Sequence, residues 1–392
     1  MTGCSYLIFV THSKWRTSPV IVSFNEKSSL VNEIPFPSVT ICQESKFKKE
    51  YTDYIELMNL EIGTLTLEQQ SNLDAIFQIC KINQQTNRTQ SPTMNSNLMH
   101  KIFHHIGIPF SNTFRHCKWR GTTERCEDLF HELMTDDGLC YTFNMQNYQD
   151  LYRDEIDESI KYPKHDKSSK HWDFQMGYET KNADSFPYRV IDSGFRAGLN
   201  IKLSVKKSDL DFNCKGLVQG FKIALHSPGE LPRLWDQFFQ IPLEQQVLVA
   251  VRPQVLTTAD ELKSYRPTAR QCYFNNEKHL KYFKTYTQWN CELECLTEYT
   301  FKRCGCVKFS QPHNTNLPVC NATKLKCYQN AKKMLMLQKL DANLREDNDN
   351  ETSDSYGHEC HCLPSCTSIK YDAEISQSKI SDVNGSIDEY VL

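Results

Sequence analysis

The residues with the most chemistry to offer are the cysteines. There are 17 in 392 residues, below the ~8–10% of a pure disulfide miniprotein but heavy for a cytosolic enzyme. Cys291, Cys295, Cys304, Cys306, Cys320 and Cys327 crowd into one stretch, and Cys360, Cys362 and Cys366 follow. Two chemistries compete for such thiols, zinc ligation and oxidation to disulfides. Cys304-x-Cys306 and Cys360-His361-Cys362 look like ligand pairs, and His100, His104 and His105 stand close together. Structural zinc sites prefer the wider C-x₂₋₄-C spacing. C-x-C is a poor chelate for one tetrahedral ion, because closing so short a spacing on a single metal strains the backbone. The cysteines therefore read as disulfides, the histidines as a surface feature, and no metal is expected.

An oxidising compartment fits the rest of the composition. Four glycosylation sequons begin at Asn87, Asn321, Asn350 and Asn384, and the one at Asn350 lies in a polar, acidic stretch suited to a solvated loop. Lys+Arg is 45 and Asp+Glu is 48, for a net charge of −3. That balance argues against a nucleic-acid partner, which needs a basic face. No phosphate-binding glycine loop, G-x-S-x-G, H-E-x-x-H or dinucleotide fingerprint occurs. Only 14 glycines are present, too few for a glycine-rich cofactor cradle. No catalytic residue and no cofactor are expected.

Elements must hold the cysteines in place. Period-two alternation, the mark of half-buried strands, runs through Val20, Val22 and Phe24; through Leu199, Ile201, Leu203 and Val205; through Phe221, Ile223 and Leu225; and through Val247, Val249 and Val251. The clearest case is Ile369, Tyr371, Ala373 and Ile375, alternating with Ser368, Lys370, Asp372 and Glu374. These strands are scattered, so their pairing must be long-range. Leu57, Leu60, Leu73, Ile76 and Phe77 stand at helical spacing. From Lys324 to Arg345, Cys327, Ala331, Met334, Leu337, Leu340 and Leu344 predict an amphipathic helix with a core-facing stripe. A shorter helix from Cys291 to Arg303 puts Cys291 and Cys295 on one face. Both can then be tied to a single segment, and an extended Cys360-His-Cys362 could supply it. The polar stretch over 161–185 is expected to be a mobile loop.

Mean hydropathy is −0.57, and no run approaches the ~18–20 apolar residues of a complete transmembrane helix. Gly3 to Val10 is apolar but lacks the basic start and cleavage site of a signal peptide. It supplies roughly 15 Å of helix, about half of a ~30 Å hydrocarbon core, and Trp15 follows as at a membrane exit. It reads as the outer half of a membrane helix, with an apolar core segment as the alternative.

Several strings in this order resemble one family. Glu33-Ile-Pro-Phe-Pro-Ser-Val-Thr-Ile-Cys42, Gly138-Leu-Cys-Tyr-Thr-Phe-Asn144, Gly220-Phe-Lys-Ile-Ala-Leu-His-Ser-Pro228 and Val249-Ala-Val-Arg-Pro-Gln-Val-Leu-Thr-Thr258 are similar to segments of the degenerin/epithelial sodium channel family. The strongest likeness is Tyr286-Thr-Gln-Trp-Asn-Cys-Glu-Leu-Glu-Cys-Leu-Thr-Glu-Tyr-Thr-Phe-Lys-Arg-Cys-Gly-Cys306 followed by Cys360-His-Cys-Leu-Pro-Ser-Cys366. The wording is closest to the insect pickpocket branch, and the resemblance runs from about Pro19 to Leu392.

The resemblance implies an α+β, disulfide-rich channel ectodomain with a β palm, a β-ball and a helical finger, thumb and knuckle. It assigns 1–14 to the outer part of a first transmembrane helix, 15–42 to the wrist and first palm strand, and 43–139 to the finger. It assigns 140–271 to palm and β-ball, 272–365 to thumb and knuckle, and 366–392 to the last palm strand. The second membrane helix, with its G/S-x-S filter, is expected beyond this sequence, so no pore-filter or amiloride-site residue is named. Carried over from the family, the disulfides are Cys42–Cys140, Cys117–Cys126, Cys272–Cys366, Cys291–Cys362, Cys295–Cys360, Cys304–Cys327 and Cys306–Cys320. Cys4 would be a free thiol, and the pairing of Cys80 and Cys214 is left open. The acid-sensing branch places a Trp before the residue matching Cys272, where this chain has Pro267-Thr-Ala-Arg-Gln271.

The implied function is a subunit of a trimeric, amiloride-sensitive-type sodium channel of the plasma membrane, with most of this chain extracellular. It would be gated by a chemical or mechanical stimulus. Its partners would be sodium ions, the lipid bilayer and identical or related subunits, with the extracellular ligand unknown. The alternative is a secreted or membrane-tethered glycoprotein that uses the same ectodomain as a non-conducting binding module.

Overall fold

The string Ser38-Val-Thr-Ile-Cys-Gln43 carries three consecutive β-branched residues, which suit a pleated surface, and it becomes the central strand of the largest sheet. The structure is a computed structural model and describes residues 2–17, 20, 22–23, 29–49, 65–80, 94–180, 182, 184–346, 360–380 and 389–391. In chain order its strands are β1 (Ser38–Gln43), β2 (Phe114–Trp119), β3 (Thr122–Glu124), β4 (Phe130–Thr135), β5 (Gly138–Phe143), β6 (Trp172–Asp173), β7 (Gly177–Tyr178), β8 (Leu199–Lys206), β9 (Gly220–His226), β10 (Phe239–Pro242), β11 (Gln245–Leu256), β12 (Ser368–Lys379) and β13 (Glu389–Val391). The longer helices are α1 (Thr2–Thr17), α2 (Leu67–Ile79), α3 (Ser96–Ile106), α4 (Gln288–Cys304) and α5 (Leu325–Glu346), with single helical turns between elements.

The five-stranded sheet runs β10-β9-β1-β5-β4 and is antiparallel throughout. A four-stranded sheet, β13-β8-β2-β3, shares its apolar cluster, in which Ile41, Phe143 and Phe221 of the first meet Phe114, Trp119 and Leu203 of the second. Period-two strands bury one face this way. The core of the first sheet also contains a polar node. Thr40 Oγ1 lies 3.1 Å from Thr142 Oγ1 and 2.8 Å from His226 Nε2, all three buried. Gly220 has φ 133°, and a Cβ there would sit 2.1 Å from the Ile241 carbonyl, so the β9–β10 pairing requires glycine.

Helices α2 and α3 form a separate core. Thr66 and Gln69 close a capping box at the start of α2, and Asn95 accepts the Leu98 N–H at 2.7 Å at the start of α3. Leu73, Ile76 and Phe77 then pack with Met99, Ile102, Phe103 and Ile106, and Phe47 and Phe309 complete the cluster. Helical spacing places Leu73, Ile76 and Phe77 as expected; Leu57 and Leu60 lie outside the described residues. The ribbon β11–β12 pairs antiparallel from Gln245–Lys379 to Leu256–Ser368 and has no third strand among the described residues. Tyr371 Oη on β12 donates to the Pro35 carbonyl at 2.8 Å, tying the ribbon to the entry of β1.

Three expectations need correction. Val20 and Val22 are not in a strand, because no strand among the described residues pairs with them, and Phe24 lies outside those residues. The polar stretch from 161 is irregular but packed. Trp172 and Phe174 are buried, Ser169 bonds Asp150 through its N–H and hydroxyl at 2.9 and 2.8 Å, and β6 pairs with β7. On α5 the predicted stripe faces largely outward. Met334, Leu337 and Leu340 are 40, 44 and 54% exposed, whereas Tyr328, Ala331 and Leu335 are buried.

Among the described residues no helix is long and apolar enough to cross a membrane. Tyr6, Leu7, Ile8 and Phe9 of α1 are exposed.

Candidate functional site: a stapled helical unit and its charged joints

Helix α4 has sequence-encoded ends. The Thr287 hydroxyl accepts the Asn290 N–H at 3.1 Å, and Gly305 ends the helix at φ 70°, a left-handed conformation that favours glycine. Cys291 and Cys295 stand one turn apart and are bonded to Cys362 and Cys360 respectively, with Cα separations of 5.7 and 5.8 Å. Cys304–Cys327 fastens the end of α4 to the first turn of α5, and Cys306–Cys320 closes the segment between the two helices. Leu296 and Tyr299 of α4 pack on Ala331 and Leu335 of α5, and Lys339 Nζ reaches Glu292 Oε1 at 2.9 Å. Cys272–Cys366 closes the base of the unit, where the Cys366 N–H donates to the Tyr273 carbonyl at 2.9 Å. Strand β12 starts immediately beyond, at Ser368.

Elsewhere Cys42–Cys140 joins β1 to β5 at opposed positions, Cys117–Cys126 ties β2 to the following helical turn, and Cys80–Cys214 ties the end of α2 to the loop before β9. Cys4 is free and exposed. Among the sequon residues, Asn321 is half-buried and its side-chain carbonyl accepts the Thr323 hydroxyl at 2.7 Å. Asn87, Asn350 and Asn384 lie outside the described residues.

Four charged residues that no sequence motif singled out control the joints. Glu294 on α4 accepts backbone N–H groups of Lys281, Tyr282 and Phe283 at 2.8, 2.5 and 3.1 Å, locking the approach to the helix. Burial raises its carboxyl above the ordinary value despite those bonds. Arg270, in the loop that lacks the Trp, has a fully buried side chain. It pairs with Glu277, donates from Nε to the Cys272 carbonyl at 3.1 Å, and lies 4.6 Å from the Phe274 ring centre.

Asp136 and Asp137 occupy the β4–β5 turn and point to different partners. Asp136 meets Lys308 Nζ at 3.1 Å and the Ser310 hydroxyl, both in the chain that leaves α4. Asp137 receives Lys215 and Lys222 at 2.8 Å each, with Lys46 at 3.8 Å. Burial pushes the Asp137 carboxyl up, but the three ammonium groups outweigh it and hold the carboxyl well below the usual carboxylate range. The local sequence Thr-Asp-Asp-Gly reads only as a turn. The lysines come from distant segments, so no local signal could have marked the site.

The histidines are set mostly for neutrality. Burial, then neighbouring positive groups, lowers His100 to about 4 and His131 to about 3, and burial lowers His226 to about 4. His104 moves up, because it bonds Glu132 at 3.1 Å. His100 and His104 lie 3.2 Å apart, and His100 also contacts Tyr162 Oη.

The stapled two-helix unit is thus joined to the β4–β5 turn by charged contacts. The sequence model of the amiloride-sensitive sodium channel family matches residues 1–387. The chain is 26% identical over 381 residues to Pickpocket protein 28 of Drosophila melanogaster, covering 96% of this chain and 58% of that protein. It is 22% identical to Sodium channel protein Nach of Drosophila ananassae, covering 92% of this chain and 62% of that protein. It is 22% identical to Acid-sensing ion channel 2 of Homo sapiens, covering 90% and 58%. The chain thus spans about three fifths of the length of these relatives. The match runs over nearly its whole length, and the chain belongs to the amiloride-sensitive sodium channel family, which comprises ion channels and not enzymes.

Proposed function

We propose that this chain forms the extracellular part of a subunit of a trimeric, sodium-conducting channel of the plasma membrane, opened by an extracellular chemical or mechanical stimulus. The observation that carries this reading is the continuity of the α4–α5 unit with β12. The unit is closed at its base by Cys272–Cys366, and the ribbon strand leaves directly from that bond. A displacement of the unit is therefore handed to the β11–β12 ribbon without an intervening flexible loop. The stimulus biases an equilibrium between two arrangements of these parts, by as much as its affinity for the two differs.

On this reading 43–139 is the finger, 140–271 the palm and β-ball, 272–365 the thumb and knuckle, and 366–392 the last palm strand. Residues 1–14 are the outer part of a first membrane helix, 15–42 are the wrist and first palm strand, and Asn87, Asn321, Asn350 and Asn384 carry glycans. The test is voltage-clamp recording from cells that express the complete gene product, with sodium replaced by a large organic cation and with amiloride added. A stimulus-evoked, amiloride-blocked sodium current is expected. Delivery to the surface without such a current, together with a full-length sequence lacking a second apolar span with G/S-x-S, would instead establish the non-conducting binding module.

A further inference from the structure

Where the end of β1 meets the β4–β5 turn and the end of α3, a small recess is lined by Gln43, Lys46, Thr113, Asp137 and Tyr141, among others. The Lys46 side chain is 4% exposed, and its Nζ has no hydrogen-bond partner. The nearest carboxylate oxygen, Asp137 Oδ2, is 3.8 Å away and already accepts from Lys222 at 2.8 Å, while Lys215 takes Oδ1. Gln43 supplies a second idle donor. Its Oε1 accepts from the Thr113 hydroxyl at 3.2 Å, and its buried Nε2 has no partner. The Tyr141 hydroxyl is spent on the Ile108 carbonyl. The two groups left unsatisfied in this recess are therefore both donors.

The charges do not balance either. The group contains Lys46, Lys215 and Lys222 against Asp137 and Glu44, and Glu44 is held by Gln240 Nε2 at 2.8 Å. Lys308 acts on Lys215 from the far side but is paired with Asp136. Among the described residues one buried positive charge is left over, and an uncompensated charge inside a protein is costly. We propose that the recess binds a monovalent anion of halide size, chloride in physiological media, held by Lys46 Nζ and Gln43 Nε2. The idle donors favour an anion over a cation or a neutral ligand. Burial lowers Lys46 to about 8, against the pull of Asp137 and Glu44. The ammonium therefore remains charged at neutral pH, and anion binding weakens as pH rises through that value.

The test uses the whole chain in detergent, with thermal unfolding followed in sodium chloride or bromide and in sodium gluconate at the same ionic strength. A saturable rise in Tm of about 1–3 °C is expected with the halides. It should shrink between pH 7 and 9, vanish in Lys46→Gln and persist in Lys46→Arg. Identical Tm values in halide and gluconate, or a halide effect undiminished in Lys46→Gln, would overturn the proposal. Should Lys46→Gln not fold, crystals of the unmodified chain in bromide decide the matter. An anomalous peak within hydrogen-bond reach of Lys46 Nζ supports the site, and its absence at saturating bromide overturns it.

Discussion

Asp137 is 9% exposed at its side chain and faces three lysines, whereas its neighbour Asp136 is 23% exposed and pairs with one. Removing one member of a buried charge set leaves the others uncompensated, at a cost of about 3–5 kcal/mol. Asp137→Asn should therefore lower the unfolding free energy by roughly that amount, measured by denaturant titration at pH 7, and Asp136→Asn by less. The pH dependence has a definite sign. The folded carboxyl lies below its ordinary value of 3.8, so its contribution is complete above that pH and is lost as pH falls below it. The gap between the wild type and Asp137→Asn should hold from pH 7 to about 5 and close under stronger acid. A gap that widens in acid would mean that the lysines are not what stabilises the carboxylate. None of this was legible beforehand. Asp-Asp-Gly is ordinary turn chemistry, and the partners Lys46, Lys215 and Lys222 are brought together only by the β1–β9 pairing and the loop that precedes β9.

Helices α4 and α5 show which parts of an element its sequence encodes. Both helices, and the placing of Cys291 and Cys295 on one face, were readable from spacing alone. Choosing a partner for each cysteine required the family resemblance, because spacing specifies a face and not a neighbour. The phase of α5 was misread. Cys327 and Ala331 fit two apolar stripes, one through Met334, Leu337 and Leu340 and one through Tyr328 and Leu335, and packing against Leu296 and Tyr299 selects the second. Two outcomes follow. Leu335→Ala should cost about 2–4 kcal/mol as a buried large-to-small change, while Leu337→Ser should stay within about 0.5 kcal/mol, both read from denaturant midpoints. Equal costs would restore the original stripe. Replacing Cys291 and Cys362 together by serine should cost about 2–5 kcal/mol and reduce surface delivery of the full-length protein. Non-reducing peptide mapping of the wild type checks the underlying pairing, and a bond from Cys291 to any segment but 360–362 would contradict it.

At the scale of the molecule, the stapled unit is gripped at two ends. At one end, Asp136 meets Lys308, and Gln78 of α2 donates to the Cys320 carbonyl at 2.6 Å. At the other, Cys272–Cys366 and Arg270 hold the base from which β12 departs. Disulfides make the unit itself stiff, so relative motion must concentrate at these joints rather than within α4 or α5. Arg270 decides between a stiff and a soft base. Truncating it removes the side-chain donor to the Tyr265 and Cys272 carbonyls and leaves Glu277 with the Phe274 N–H alone, a loss of about 2 kcal/mol for such partly buried groups. If the joint opens locally, Arg270→Ala should speed backbone hydrogen exchange about thirtyfold at residues 265–277 and at the first residues of β12, with α4 and α5 unchanged. On the channel reading proposed above, the same variant in the full-length protein should shift the stimulus strength for half-maximal current while leaving sodium selectivity intact, since Arg270 acts at the base of the stapled unit. Faster exchange spread through α4 and α5 would mean that the unit deforms internally and that its base is not the hinge.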